Sequence, residues 1–368
     1  MSSERVAFVN LPLRIQPYED ELVEAFLKVV RSGAYVMGPE VSEFETALAN
    51  FCGVKHVLGV GNGTDSLIIA LRAFDIGPGD EVITAPNSFI ASAGAIAMVG
   101  AEIRFADVGP DYNIDPQKVE AAISPRTKAI MPVHLTGRPA DMDAINEIAK
   151  RHNLRVIEDA AQAIGAKYRD RPVGSLGDVG SFSLHPLKNL QVFGDAGFLT
   201  TSDSELYERM KRLRNHGLID RNTSTEWGLN SRLDTIQAAL GLVQLKRLGK
   251  WTEEFRAIAG KYREGLKDIV TVPTEFNHEY AVYHNFVILT DRRDELMSYL
   301  DNHGIDTKIH YPILLHRQPA ADNLGFGVGS FPVAEDQVTK MLSLPIYPEL
   351  RDDEVQRVIN EIQKFFKH

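Results

Sequence analysis

Cysteine is nearly absent. Cys52 is the one cysteine in 368 residues, so no intrachain disulfide can form and a thiolate zinc cluster is excluded. Both fit a reducing compartment. Long apolar runs are missing as well. No stretch approaches the roughly 20 consecutive apolar residues that span a bilayer. The opening Met-Ser-Ser-Glu-Arg-Val-Ala-Phe-Val-Asn lacks the apolar run of a signal peptide. A cytoplasmic location with no membrane partner is expected. Basic charge is in deficit: 40 Lys and Arg against 50 Asp and Glu give a net charge of −10 and a pI near 5.6. Broad nucleic-acid binding needs the opposite balance, although a local pocket for a phosphorylated ligand is compatible with it. Internal repeats and low-complexity tracts are also missing.

What is present reads as an ordinary globular chain, 44% hydrophobic and 24% charged. Its length suits a large domain, placed at residues 1–250, and a smaller one at 251–368. A helix is predicted from Glu19 to Arg31, with Leu22, Val23, Phe26, Val29 and Val30 on one face and Gly33 at its end. From Lys55 strands and helices alternate regularly. Strands are predicted at 55–60, 81–84, 102–106, 129–133 and 155–158, with helices at 64–74, 91–99 and 142–152 between them. This is the rhythm of a mostly parallel α/β sheet covered on both faces. A short strand is predicted at 181–184 and another at 198–201. Helices follow at 204–216, 233–245 and 253–269. Beyond them the chain reads as a small α+β unit, with strands at 282–289 and 307–309 and helices at 293–302 and 353–366.

Ligands of such sheets bind outside the carboxyl ends of the strands, so the residues just after each strand are the candidates. Gly59-Val-Gly-Asn-Gly-Thr-Asp-Ser66 could let backbone amides and a helix N-terminus meet a phosphate. It could equally be a glycine-rich turn with a capping residue. It is neither a triphosphate loop nor a dinucleotide fingerprint, because Thr64 stands where a third glycine belongs. Phe89 could stack on a flat ring or simply fill the core. Asp159, followed by Ala-Ala-Gln-Ala, could hold a buried cation such as a pyridinium, or cap a helix. Lys188 lies in Gly180-Ser-Phe-Ser-Leu-His-Pro-Leu-Lys-Asn-Leu190. A partly desolvated pocket there would favour the neutral amine that a Schiff base with pyridoxal phosphate requires.

Taken together, these segments resemble the DegT–DnrJ–StrS sugar aminotransferases, pyridoxal-phosphate enzymes of fold type I, across nearly the whole chain. The markers include Gly-Asn-Gly-Thr-Asp-Ser-Leu (61–67), Pro-Val-His-Leu-Thr-Gly-Arg-Pro-Ala-Asp-Met (132–142), Glu-Asp-Ala-Ala-Gln-Ala (158–163), Ser-Phe-Ser-Leu-His-Pro-Leu-Lys-Asn-Leu (181–190), Gly-Leu-Asn-Ser-Arg-Leu-Asp (228–234) and Leu-Ser-Leu-Pro-Ile-Tyr-Pro (342–348). The resemblance implies an aspartate-aminotransferase-like large domain with a smaller C-terminal α+β domain. It implies Lys188 as the Schiff-base lysine and Asp159 as the carboxylate on the ring nitrogen. Gln162 would contact the ring hydroxyl and Phe89 would stack on the ring. Gly63, Thr64 and Ser183 would contact the phosphate, with Asn230 supplied by the neighbouring subunit of a homodimer. No metal is implied.

The expected substrates are L-glutamate and a keto sugar. The sugar would be a nucleotide-linked 3-keto or 4-keto deoxyhexose, for cell-surface polysaccharide such as lipopolysaccharide, or alternatively an unlinked sugar such as an oxidised octulosonate. A regulator that keeps the fold is a further alternative. Tyr35, His284, His310 and Tyr311 are the candidate sugar contacts. The chain departs from the common family pattern at Leu184 to Leu187 and at Ala196, which makes these positions the first candidates for setting the sugar.

Overall fold

The strand–helix alternation closes into one seven-stranded sheet. The computed structural model describes residues 5–367. The elements run α1 (Glu19–Ser32), α2 (Pro39–Cys52), β1 (His56–Val60), α3 (Gly63–Ala73), β2 (Glu81–Thr84), α4 (Ile90–Met98), β3 (Glu102–Phe105), β4 (Thr127–Met131), α5 (Met142–His152), β5 (Arg155–Asp159), β6 (Val179–Ser183), β7 (Gly197–Thr201), α6 (Ser204–Leu213) and α7 (Thr235–Leu266). The strand order is β1-β7-β6-β5-β4-β2-β3. Strands β2 to β6 pair in parallel where they meet, and β7 runs antiparallel to both of its neighbours, β1 and β6. The central strands are buried on both faces, as near-continuous apolar runs require, while the edge strand β3 is buried only at Phe105. One face packs against a cluster holding Phe44, Ile83, Ile130 and Phe182. The other packs against one holding Leu58, Ile69, Ile96 and Ile157.

The sheet is an α/β, mostly parallel one as expected, and most of its elements start and stop within two residues of the predicted positions. The departures from expectation lie in the second half of the chain. The helices expected at 233–245 and 253–269 are one helix, α7, of 32 residues. Gly249 lies in its middle and reads as a break, yet a mid-helix glycine costs only about 1 kcal/mol relative to alanine. The buried stripe Leu240, Leu248, Trp251, Phe255 and Tyr262 outweighs that cost. The division at residue 250 therefore falls inside a continuous helix. Its first half packs on the sheet, while Phe255, Ile258, Tyr262 and Leu266 belong to a second core. The strand expected at 282–289 forms only over Phe286–Leu289, and the one expected at 307–309 is reduced to a single bridge, Lys308 to Ser343.

That second core lies under β8 (Phe286–Leu289), α8 (Arg293–Asn302), β9 (Met341–Leu344) and α9 (Asp352–Lys367), with β8 and β9 antiparallel. Val6 joins it through a bridge to Ile305, so the start of the described chain packs with its end. On α1 only Leu22 and Val29 are buried. Val23, Phe26 and Val30 remain exposed. Among the described residues no helix is long and apolar enough to cross a membrane.

Candidate active site

The carboxyl ends of β1, β5 and β6 bring the candidates together. Lys188 lies five residues beyond β6, in a loop closed at its base by Val192 N–H to Leu184 O (2.9 Å) and Leu184 N–H to Ala196 O (2.8 Å). The Lys188 residue is half-buried, and its Nζ makes no hydrogen bond or ion pair among the described residues. Lost solvation lowers the amine to about 8, against the opposing pull of the Asp159 carboxylate. A substantial neutral fraction therefore exists near neutral pH. Leu184 and Ala196, expected near the sugar, are instead fully buried core residues. Both pack in the cluster that holds Phe44 and Phe182.

Asp159 ends β5 and is 5% exposed. Its Oδ2 accepts a hydrogen bond from the Ser92 hydroxyl at 2.6 Å, and Ser88 lies 2.7 Å behind Ser92. Its Oδ1 accepts from Ala161 N–H at 3.3 Å. All of these partners are neutral. A buried carboxylate without a cation is costly, and it favours a charged partner brought by a ligand. Sequence reasoning missed its neighbour. Glu158 points to the opposite face and meets His134 Nε2 at 2.9 Å, with both side chains fully buried. Glu158 also accepts from the backbone N–H groups of Gly174, Leu176 and Gly177 at 2.7 to 2.8 Å. His134 Nδ1 accepts from Ala140 N–H at 3.0 Å, so its proton sits on Nε2, toward Glu158. The pair anchors β5 from beneath. The signal for it was the adjacent acids Glu158-Asp159 at a strand end, where period-two alternation sends one to each face.

The glycine-rich turn resolves into a capped helix. Asn62 caps α3 by accepting from Asp65 N–H at 2.8 Å, a contribution of about 1 kcal/mol. Gly63 lies against Ser183, where a Cβ would stand 2.8 Å from the Ser183 Cβ. Only glycine permits this approach, which brings the helix start, with its unpaired N–H groups at Gly63 and Thr64, beside the Ser183 hydroxyl. The Ser231 hydroxyl accepts from Gly61 N–H at 3.0 Å and donates to Asp65 at 2.6 Å, pinning the 228–234 stretch to this turn. Asn230, next to it, is exposed.

Around the open side, Phe89 is half exposed, with its ring 5.4 Å from that of Tyr311. The Tyr311 hydroxyl accepts from Gln162 Nε2 at 3.3 Å, and Gln162 Oε1 accepts from Thr136 N–H at 2.7 Å. Burial, with the Asp159 charge added, pushes Tyr311 up to about 12. His310 is held down to about 4, chiefly by burial and then by the charge of Lys188. His284 lies well below 6.5 for the same two reasons, with His310 adding to them. Both imidazoles are neutral at pH 7. Of the four expected sugar contacts, His284, His310 and Tyr311 gather near Lys188. Tyr35 does not: it is exposed, beyond the end of α1, and its hydroxyl donates back to Val30 O in the last turn of that helix at 3.1 Å.

An unpaired amine, a cation-free buried carboxylate, a helix-start cradle only glycine allows and an exposed ring fit pyridoxal phosphate in four separate respects. Comparison with known proteins gives the same answer. The model of the DegT/DnrJ/EryC1/StrS aminotransferase family matches residues 17–363. The chain belongs to that family. A dTDP-3-amino-3,6-dideoxy-alpha-D-galactopyranose transaminase from Aneurinibacillus thermoaerophilus is 43% identical over 98% of this chain and 99% of its own. A "pleiotropic regulatory protein" from Geobacillus stearothermophilus is 43% identical over 99% of both chains. The crystal structure of Streptomyces venezuelae DesV superposes with a TM-score of 0.97 at 42% identity, covering all of both chains. The fold is that of fold-type-I aminotransferases, and the chain is a sugar aminotransferase whose cofactor is pyridoxal phosphate.

Proposed function

We propose that this aminotransferase takes an amino group from L-glutamate and gives it to a nucleotide-linked 3-keto or 4-keto deoxyhexose, in the supply of amino sugars for cell-surface polysaccharide. The observation that carries the assignment of roles is the unpaired Lys188 amine near a carboxylate, Asp159, that has only neutral partners. The nucleotide linkage draws support from the Aneurinibacillus relative, a transaminase named for a dTDP-linked amino sugar.

When bound, pyridoxal phosphate supplies an aldehyde that accepts the amino group and a ring that spreads the charge left on the donor's α-carbon. Asp159, buried and held by Ser92, keeps the ring nitrogen protonated. Gln162, fixed by Thr136 N–H, contacts the ring hydroxyl, and Phe89 covers the ring face. Gly63, Thr64 and Ser183 bind the phosphate at the start of α3. Lys188 would hold the cofactor, and its free amine would take the proton from the donor's α-carbon as general base and deliver it to the cofactor's aldehyde carbon as general acid. A pKa near 8 suits both tasks.

Asn230 and Tyr35 serve the site of a second copy of the chain, in a homodimer. This reading is supported by their exposure and by the uncovered face Val23, Phe26 and Val30 of α1. The relative named for regulation supports a second reading, in which the same fold also has a regulatory role. The Lys188–Asp159–Gln162 arrangement argues that catalysis is kept whichever holds.

A half-reaction screen tests the proposal. Enzyme in the pyridoxamine form is offered keto sugars that differ in nucleotide and keto position, and the return of the aldehyde absorbance is followed. Return with a nucleotide-linked keto deoxyhexose is the expected result. Return only with unlinked sugars, or with none, defeats it.

A further inference from the structure

The residue after the lysine decides what its neighbouring histidine can do. Asn189 is 3% exposed, and its polar groups have fixed partners. Its backbone carbonyl accepts from Arg14 Nη2 at 3.2 Å. Its side-chain Nδ2 donates to Val282 O at 3.0 Å. A backbone carbonyl can only accept, so the amide nitrogen must lie on that side. Oδ1 is then the atom 3.2 Å from His284 Nδ1. An amide oxygen also only accepts, so His284 carries its proton on Nδ1. That leaves Nε2 with a bare lone pair, and it makes no hydrogen bond among the described residues.

The ring is held in place from behind. Val282 N–H donates to Gly137 O at 2.9 Å, and Asn285 N–H donates to Thr136 O at 3.3 Å. A Cβ on Gly137 would stand 2.9 Å from His284 N, so the 282–285 segment rests directly on this turn. The same turn supplies the Thr136 N–H that fixes Gln162. His284 is thus registered to the same backbone as the cofactor-facing Gln162.

An obligate acceptor beside Lys188 discriminates between the two substrates. L-Glutamate and its 2-oxo acid present carboxylates, which are acceptors and meet a lone pair unfavourably. A keto sugar presents hydroxyls beside its carbonyl carbon, and these are donors. Resting on the sugar aminotransferase reading above, we propose that His284 is a specificity residue whose Nε2 accepts a hydrogen bond from a sugar hydroxyl neighbouring the reacting carbon. Asn189 is the positioning residue that sets the tautomer.

The tautomer can be read directly. Holoenzyme labelled with ¹⁵N-histidine should show His284 protonated on Nδ1 and bare on Nε2, and Asn189→Ala should shift the proton toward Nε2. A wild-type Nε2–H signal, or a tautomer unmoved in Asn189→Ala, overturns the proposal. If Asn189→Ala does not fold, the wild-type signal still decides that part. The second measurement is kcat/KM for each half-reaction, with L-glutamate and with a dTDP-linked 3-keto-6-deoxyhexose. His284→Phe should depress the sugar half-reaction about tenfold more than the glutamate half-reaction, and His284→Gln, which restores an acceptor, should recover most of the difference. Equal losses in both halves, or no recovery in His284→Gln, overturn it. A wild-type enzyme inert to keto sugars while His284 shows the expected tautomer locates the failure in the functional reading instead.

Discussion

The two walls of the site are built differently. The cofactor wall stands on the ends of β1, β5 and β6. Asp159 is buried there, and Gly63 meets Ser183 at a distance that leaves no room for a methyl group. The substrate wall is assembled from the turn at 134–138, the 282–285 segment and the residues around His310. Its groups are neutral imidazoles and a phenol. The first wall is fixed by sheet hydrogen bonds and offers charge. The second is fixed by side-chain contacts between distant segments and offers hydrogen bonds. The difference teaches that the chemistry is tied to the rigid scaffold, while recognition is placed where a few side chains can change without disturbing it.

The sharpest way to break this contrast is at Lys188. Lys188→Ala should lower turnover by about 10³-fold or more, and borohydride should no longer fix cofactor to the chain. Near-normal amino-group cycling would sink the assignment. Asp159→Asn keeps the shape and removes the charge, and should cost about 10²-fold in the glutamate half-reaction, measured by stopped-flow absorbance. A loss confined to the sugar half-reaction would put Asp159 on the wrong wall.

The cofactor-free protein tests the electrostatics of the first wall. The Lys188 amine titrates near 8 when folded and near 10.5 when unfolded. Between these values the unfolded chain binds more protons, so folding stability should rise with pH from about 8 to 10.5, and the full penalty is present below 8. Lys188→Met removes it and should stabilise the cofactor-free protein at pH 7 by up to about 3 kcal/mol, read from urea unfolding. An unchanged midpoint would mean the amine is solvated. Gly63→Ala should cost about 1–3 kcal/mol of stability through crowding at Ser183 and weaken cofactor retention with it, whereas a silent substitution would show that the cradle is looser than its geometry. The smallest effect belongs to the second subunit. Asn230→Ala should weaken retention about tenfold, seen by dialysis. Mixed with Lys188→Ala it should regain activity, because one of the two sites in a mixed dimer is then intact.

The first wall was the more legible in the sequence. Asp159, Gly63 and Ser183 follow predictable strands, and the rule that ligands gather at strand carboxyl ends needs only the order of elements. Lys188 stood out by its apolar and small-residue surroundings. The Glu158–His134 pair and the Asn189–His284 contact were not legible. Each joins residues 24 or 95 positions apart, and no local periodicity records which loops meet. Tyr35 is a candidate as a donor for the sugar, yet in a single chain its hydroxyl donates to Val30 O at the end of α1.

By itself, then, the sequence determined the family and the mostly parallel sheet, and it marked the lysine and the carboxylate as candidates, because strand order and residue type are local properties of the chain. It also marked Leu184 to Leu187 and Ala196 as unusual, but could not say that Leu184 and Ala196 fall into the core. The tertiary structure decided which polar groups are deprived of water and which atom of each faces the ligand. A pKa near 8 for Lys188 and a bare nitrogen on His284 come from neighbours brought in by folding. Burial and hydrogen-bond direction are properties of the packed chain.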